Sequence, residues 1–108
     1  MKDLILSKPE EIVALLCERL RRERLALQMT QAEVAGRAGI GVNTVSNLEA
    51  GRSVAFESVL RVAMVLGRLK ELEALFQPRL ESLDDIRRYE RSAQRHRARR
   101  KIGNGEPG

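Results

Sequence analysis

Three glycines, Gly39, Gly51 and Gly67, cut the middle of this chain into pieces short enough to form only small helices. Each follows a stretch whose apolar residues recur every three or four positions, and glycine is the residue that most readily takes the left-handed conformation that ends a helix. Thr30-Gln31-Ala32-Glu33 carries the pattern of a capping box, in which the hydroxyl and the carboxylate each accept a free N–H of the first turn. It predicts a short helix with Val34, Ala35 and Ala38 turned inward and Gly39 as its stop. After Gly39-Ile40-Gly41 a further helix is predicted over 42–50, with Val45 and Leu48 inside and Gly51 past its end. The next covers 54–66, where Phe56, Val59, Leu60, Val62, Ala63 and Leu66 are apolar and Gly67 stops it. A fifth, shorter one covers 68–76, and Pro78 closes the series.

Ahead of these, Ser7-Lys8-Pro9-Glu10 reads as a helix start. Ser7 is the expected cap, Pro9 is tolerated in the first turn, and Glu10 is the capping-box partner. Ile12, Leu16 and Leu20 recur every four residues with Val13 alongside, while Glu11, Arg19, Arg21, Arg22 and Glu23 are mostly solvent-facing. This helix is expected to end near Leu27 or Gln28. Residues 1–6 read as a frayed end or a short extended piece. Apolar residues make up 43% of the chain but aromatics only 3%, a composition that suits helices packed on helices. The expectation is an all-α fold with one domain over 7–78 and an extension over 79–108.

Charge separates the two parts further. The chain carries +5, with an isoelectric point of about 10.1, which points to a polyanionic partner. Residues 86–101 hold eight basic side chains (Arg87, Arg88, Arg91, Arg95, Arg97, Arg99, Arg100 and Lys101) against the single acid Glu90. That stretch is +7 within a chain of +5, so the rest is −2. A segment so rich in arginine and poor in apolar residues, ending in GNGEPG, is expected to be a basic, flexible tail unable to fold alone.

Several functions are excluded by what is missing. One cysteine, Cys17, allows no internal disulfide, and with one histidine, His96, no His/Cys metal cluster can be assembled. No nucleophile with a base and no paired carboxylates suggest an enzyme, and no cofactor is expected. Cys17 reads as a small core residue and His96 as solvated. Charges interrupt the N-terminal apolar pattern every few residues, so it is neither a signal peptide nor a membrane span, and a cytoplasmic protein is expected.

The segment TQAEVAGRAGIGVNTVSNLEAGR, residues 30–52, resembles the helix-turn-helix of the phage Cro and C1 repressors, the XRE-type regulators. The residues that carry the resemblance are Thr30-Gln31, Ala35, Gly39, Ile40, Val45, Leu48, Glu49 and Gly51, with Arg24 ahead of them. The resemblance spans roughly residues 13–68. It implies a five-helix lambda-repressor-like DNA-binding domain of bacterial or phage type, associated with the nucleoid through DNA. Its partners would be double-stranded DNA and a second copy in a homodimer, with no membrane. Carried over residue by residue, it assigns base reading to Val42, Asn43, Ser46 and Asn47, and phosphate contacts to Gln31, Thr44 and Arg52. Arg24 and Glu49 resemble the family's internal ion pair. Two positions depart from the family pattern: Gln28 stands where glycine is usual after the first helix, and Gly41 where Ser or Thr commonly caps the recognition helix.

The stretch from Pro78 through SLDDIRRYERSAQRHRARRK is similar to the Arg-rich extensions of HipB-like antitoxins, whose partners are kinase toxins. Its plain physical reading is a solubilising or non-specific DNA-binding arm. Three functions are compatible with these resemblances: a repressor on a palindromic operator, an antitoxin that autoregulates its operon and binds a toxin, and a protein-interaction adaptor that has kept the fold alone.

Overall fold

A computed structural model describes residues 7–52 and 54–103; the expectation for residues 1–6 lies outside the described residues. Among the described residues six helices succeed one another: α1 (Pro9–Ala26), α2 (Gln31–Ala38), α3 (Val42–Glu49), α4 (Phe56–Val65), α5 (Leu69–Ala74) and α6 (Leu83–Gly103). Among the described residues there is no strand. The chain divides between Ala74 and Leu75 into two units, the first holding α1 to α5 and the second α6.

Helix ends in the first unit are set by one device used three times. Past α1, the Met29 N–H donates to Arg24 C=O at 3.1 Å and the Gln28 N–H to Leu25 C=O at 3.0 Å. Past α3, Arg52 N–H reaches Asn47 C=O and Gly51 N–H reaches Leu48 C=O. Past α4, Arg68 N–H reaches Ala63 C=O and Gly67 N–H reaches Met64 C=O. This paired closure needs a left-handed residue just past the helix. Gly51 and Gly67 supply it with φ of +74° and +78°, and Gln28 does so with φ of +57°. Gln28 carries a Cβ that glycine lacks, at roughly 1 kcal/mol for the left-handed conformation.

The core forms where α1, α2, α3 and α4 converge. Cys17, Val34, Ala35, Val45, Leu48, Val62 and Leu66 are buried together, and Leu20, Met29, Ile40, Val54, Val59 and Val65 pack around them. Small residues on α2 let α3 and α4 approach it closely. Cys17 sits in this core, and burial pushes its thiol up from the ordinary value.

Local detail differs from expectation at several points. The cap of α1 is Lys8, one residue after Ser7, and its side chain makes no capping hydrogen bond; Pro9 occupies the first turn. The inward stripe of α1 is also rotated. Leu16 and Val13 are exposed, while Cys17 and Arg24 are buried, because the face turned to the core is the one from which Arg24 reaches α3. On α4 the first-turn Phe56 is exposed, and burial begins at Val62. The second unit departs most. The stretch expected to be flexible is α6, started by the Ser82 hydroxyl, which accepts the Asp85 N–H at 3.1 Å. Asp84 and Asp85 complement its N-terminal dipole. Arg, Gln, Ala and Glu, which dominate the rest of the helix, are good helix formers and need no core to hold the backbone.

Gly51 does more than end α3. A Cβ built there would lie 3.0 Å from Ala14 Cβ and 3.1 Å from Ala14 Cα on α1, whereas one at Gly67 would meet nothing within 4 Å. Gly67→Ala is therefore expected to lose about 1 kcal/mol from backbone conformation alone. Gly51→Ala adds overpacking against α1 and should lose more than about 2 kcal/mol. Gln28→Gly should gain about 1 kcal/mol. Urea unfolding followed by circular dichroism measures all three, and equal losses at 51 and 67 would show that α1 yields freely.

Candidate nucleic-acid interface

The site begins at the start of α2. The Thr30 hydroxyl accepts the Glu33 N–H at 3.0 Å, and the Glu33 carboxylate accepts the Thr30 N–H at 3.2 Å, completing the expected capping box. The first helical bond is Val34 N–H to Thr30 C=O. The N–H groups of Gln31 and Ala32 thus point out of the helix end with no helical acceptor, at the positive end of its dipole.

The turn between α2 and α3 is short because Gly39 is left-handed, with φ of +70°. Ile40 N–H then closes onto Ala35 C=O at 3.1 Å. Arg61 on α4 donates to Ala38 C=O at 3.1 Å, covering a carbonyl that the end of α2 leaves free. Pattern reading missed this contact, since it joins residues 23 apart and nothing local announces it. Gly41 caps α3 without a side-chain hydrogen bond.

Helix α3 has two distinct faces. Val45 and Leu48 are fully buried and Glu49 nearly so, while Val42, Asn43 and Ser46 are exposed and Thr44 and Asn47 half-buried. Positions 42, 43, 46 and 47 share one side at spacings of three and four. Asn47 is not isolated there: its side-chain oxygen accepts from the Arg52 guanidinium at 2.7 Å. The turn that ends α3 brings Arg52 back over Asn47, whose carbonyl also accepts the Arg52 N–H. That bond engages one of the two lone pairs of the Asn47 oxygen.

Behind this face lies the pair of Arg24 and Glu49. Arg24 Nε donates to Glu49 Oε2 at 2.6 Å and Nη2 to Oε1 at 2.9 Å, a bidentate geometry. The side chains are 10% and 5% exposed, so this pair is shielded from water and salt far more than a surface one. Arg24 Nη1 also donates to Met29 C=O at 2.8 Å. Gln31 donates its amide to Glu49 Oε1 at 2.9 Å, joining α2 to the pair. Burial pushes the Glu49 carboxyl up, but hydrogen bonds from Arg24 and Gln31 and the charges of Arg24 and Arg21 outweigh it and hold it below the usual range. Glu49 hydrogen bonding raises the Arg24 guanidinium against the opposing effect of burial.

Among the described residues no three His, Cys, Asp or Glu side chains come together to hold a metal, and no helix is long and apolar enough to cross a membrane. What the first unit presents is a short helix locked by a glycine turn against a second whose polar face is open. That arrangement is a helix-turn-helix. A family model described as helix-turn-helix matches residues 20–73, half of the chain, and the chain belongs to this Cro/C1 or XRE-type family of DNA-binding transcription regulators.

Removing one member of the buried pair strands the other. Glu49→Ala should lose about 3 kcal/mol at neutral pH, and the double variant Arg24→Ala/Glu49→Ala should lose less than the sum of the two single changes. Because the folded Glu49 value is depressed, its contribution is fully present above the unfolded value of about 4.5 and is lost as pH falls through the lower folded value. The stability gap between wild type and Glu49→Gln should therefore be constant near neutrality and narrow below pH ~4.5. Denaturant titrations across that range check it; a gap that widens in acid would contradict the assignment.

Proposed function

We propose that the protein is a repressor that binds a palindromic operator as a homodimer, with α3 lying in the major groove. The observation that carries this reading is the division of α3 into a buried apolar face and an open face of Val42, Asn43, Ser46 and Asn47. Short polar side chains near the start of a recognition helix are those that reach base edges. Asn43, with acceptor and donors both available, suits the bidentate edge of adenine, and Val42 suits a thymine methyl. Asn47, held by Arg52, lies on the same side. Gln31, Thr44 and Arg52 flank this face as phosphate contacts, aided by the N–H groups at the start of α2.

One such motif reads only a few base pairs, so specificity requires two copies on a two-fold site. Candidate anchors for pairing are apolar side chains of and beyond α5. Leu69 and Leu75 are exposed, Leu72 is half-buried, and Phe76 is 90% exposed in a left-handed backbone conformation, φ +58°. An aromatic ring left so open is a natural element to bury against a second copy.

A second reading, an antitoxin that regulates its own operon and also binds a toxin, is favoured by Leu83, Ile86 and Tyr89 on α6. All three are exposed although they repeat at helical spacing, as in a helix that receives a protein partner.

The test starts from operators selected out of random duplexes with the full chain. Asn43→Ala is expected to lose about 1–3 kcal/mol on the selected site and to relax preference at one position of each half-site. Unchanged binding would overturn the groove assignment. Light scattering should give a dimer for wild type at tens of micromolar and a shift toward monomer for Phe76→Ala. A monomeric wild type would remove the two-fold reading.

A further inference from the structure

Helix α6 belongs to the second unit, and it is the most strongly charged element of the chain. Its acids, Asp84 and Asp85, stay in the first turn, and beyond them Glu90 alone interrupts the basic run. The arginines are not spread evenly. Arg87, Arg91 and Arg95 are four residues apart, which stacks them along one face, and all three are exposed. Arg88 is differently occupied, 3.7 Å from Asp85 and with its guanidinium 5.3 Å from the Tyr89 ring centroid.

Spacing and chemistry select the partner. From Arg87 to Arg95 the helix rises ~12 Å. Laid along a duplex, that length runs beside about three or four phosphates of one strand, at ~3.4 Å of axis each. The guanidinium fork matches a phosphate in geometry as well as charge. An anionic membrane would attract the same charges, but insertion needs an apolar face as long as the basic one. Among the described side chains of α6 the large apolar ones, Leu83, Ile86 and Tyr89, lie in the first two turns, while exposed arginines continue to Arg97.

We infer that α6 is a second DNA contact, in which Arg87, Arg91 and Arg95 bind backbone phosphates. This rests on the reading of the first unit as a DNA-binding domain, and it adds affinity without sequence information, since phosphates are the same along every site.

The experiment compares full-length wild type with Arg87→Gln/Arg91→Gln/Arg95→Gln, a change that keeps good helix formers in place. Binding to a fluorescent selected operator and to a scrambled duplex is measured across a salt series. Each phosphate contact contributes ~0.9 to the slope of log K against log salt, so the variant should lose about 2.7 from that slope per protomer on both duplexes. Its preference for operator over scrambled DNA should remain as in wild type. An unchanged slope would overturn the inference while leaving the role of α3 intact. Conversely, a wild type without operator preference would overturn the role of α3 and leave the slope as the test of α6.

A charge-matched variant adds Ser92→Arg, Ala93→Arg and Gln94→Arg to the triple change. It restores the net charge but not the Arg87-Arg91-Arg95 row, and should keep the lowered slope; full recovery would mean that bulk charge alone acts, and would overturn the proposal. Tighter binding of wild type to phosphatidylserine vesicles than to the scrambled duplex at the same salt would overturn it in favour of a membrane partner.

Discussion

Arg24 sits near the end of α1, yet its guanidinium holds the Glu49 carboxylate on α3 and the Met29 carbonyl in the loop that leads to α2. Gln31 adds the start of α2 to the same carboxylate. Four segments are thereby joined at one point. The apolar core holds these segments through Val34, Val45, Leu48, Val62 and Leu66, but the pull of about 25 cal/mol per Å² that buries them has no direction. A bidentate ion pair has direction. It sets how far α3 is rotated about its axis and so decides which residues face outward.

That rotation is what links stability to function. Val45, Leu48 and Glu49 are the inward residues of α3, and only with them inside do positions 42, 43, 46 and 47 share the open side. The same constraint explains why α1 shows Leu16 to solvent and buries Cys17: the helix is oriented by where its arginine must point. Burying a charge pair is not the cheapest way to stabilise such a site, and an apolar replacement could serve as well. What the pair adds, with Gln31, is a directional contact that ties the 8-residue α3 to α1 and to the start of α2.

The two units illustrate different routes from sequence to structure. The first needs tertiary contacts at every helix, for α2 and α3 have 8 residues each and could not persist alone. The second is a helix of 21 residues whose structure is written in local terms: a serine cap, acids at the start, and helix-forming side chains along its length. Judging it by hydrophobic content led to the expectation of a flexible tail. Polarity argues against a core but not against a helix, and the basic character read from composition became an ordered row of side chains.

Much of the fold was legible in the residues themselves. The capping box at Thr30, the left-handed stops at Gly39, Gly51 and Gly67, and the inward positions of α2 and α3 all depend on interactions within one or two turns, so local pattern determines them. The pairing of Arg24 with Glu49 was legible only through resemblance, because no periodicity connects residues 25 apart. Other features were decided by tertiary structure alone. The hold of Arg61 on the end of α2, the close approach of Gly51 to Ala14, and the true inner face of α1 each arise where separate elements meet. Sequence determines which elements form and where they stop, since backbone hydrogen bonds and caps act over a few residues. Which side of an element is free to act depends on what packs against it, and that is settled only when distant side chains come together.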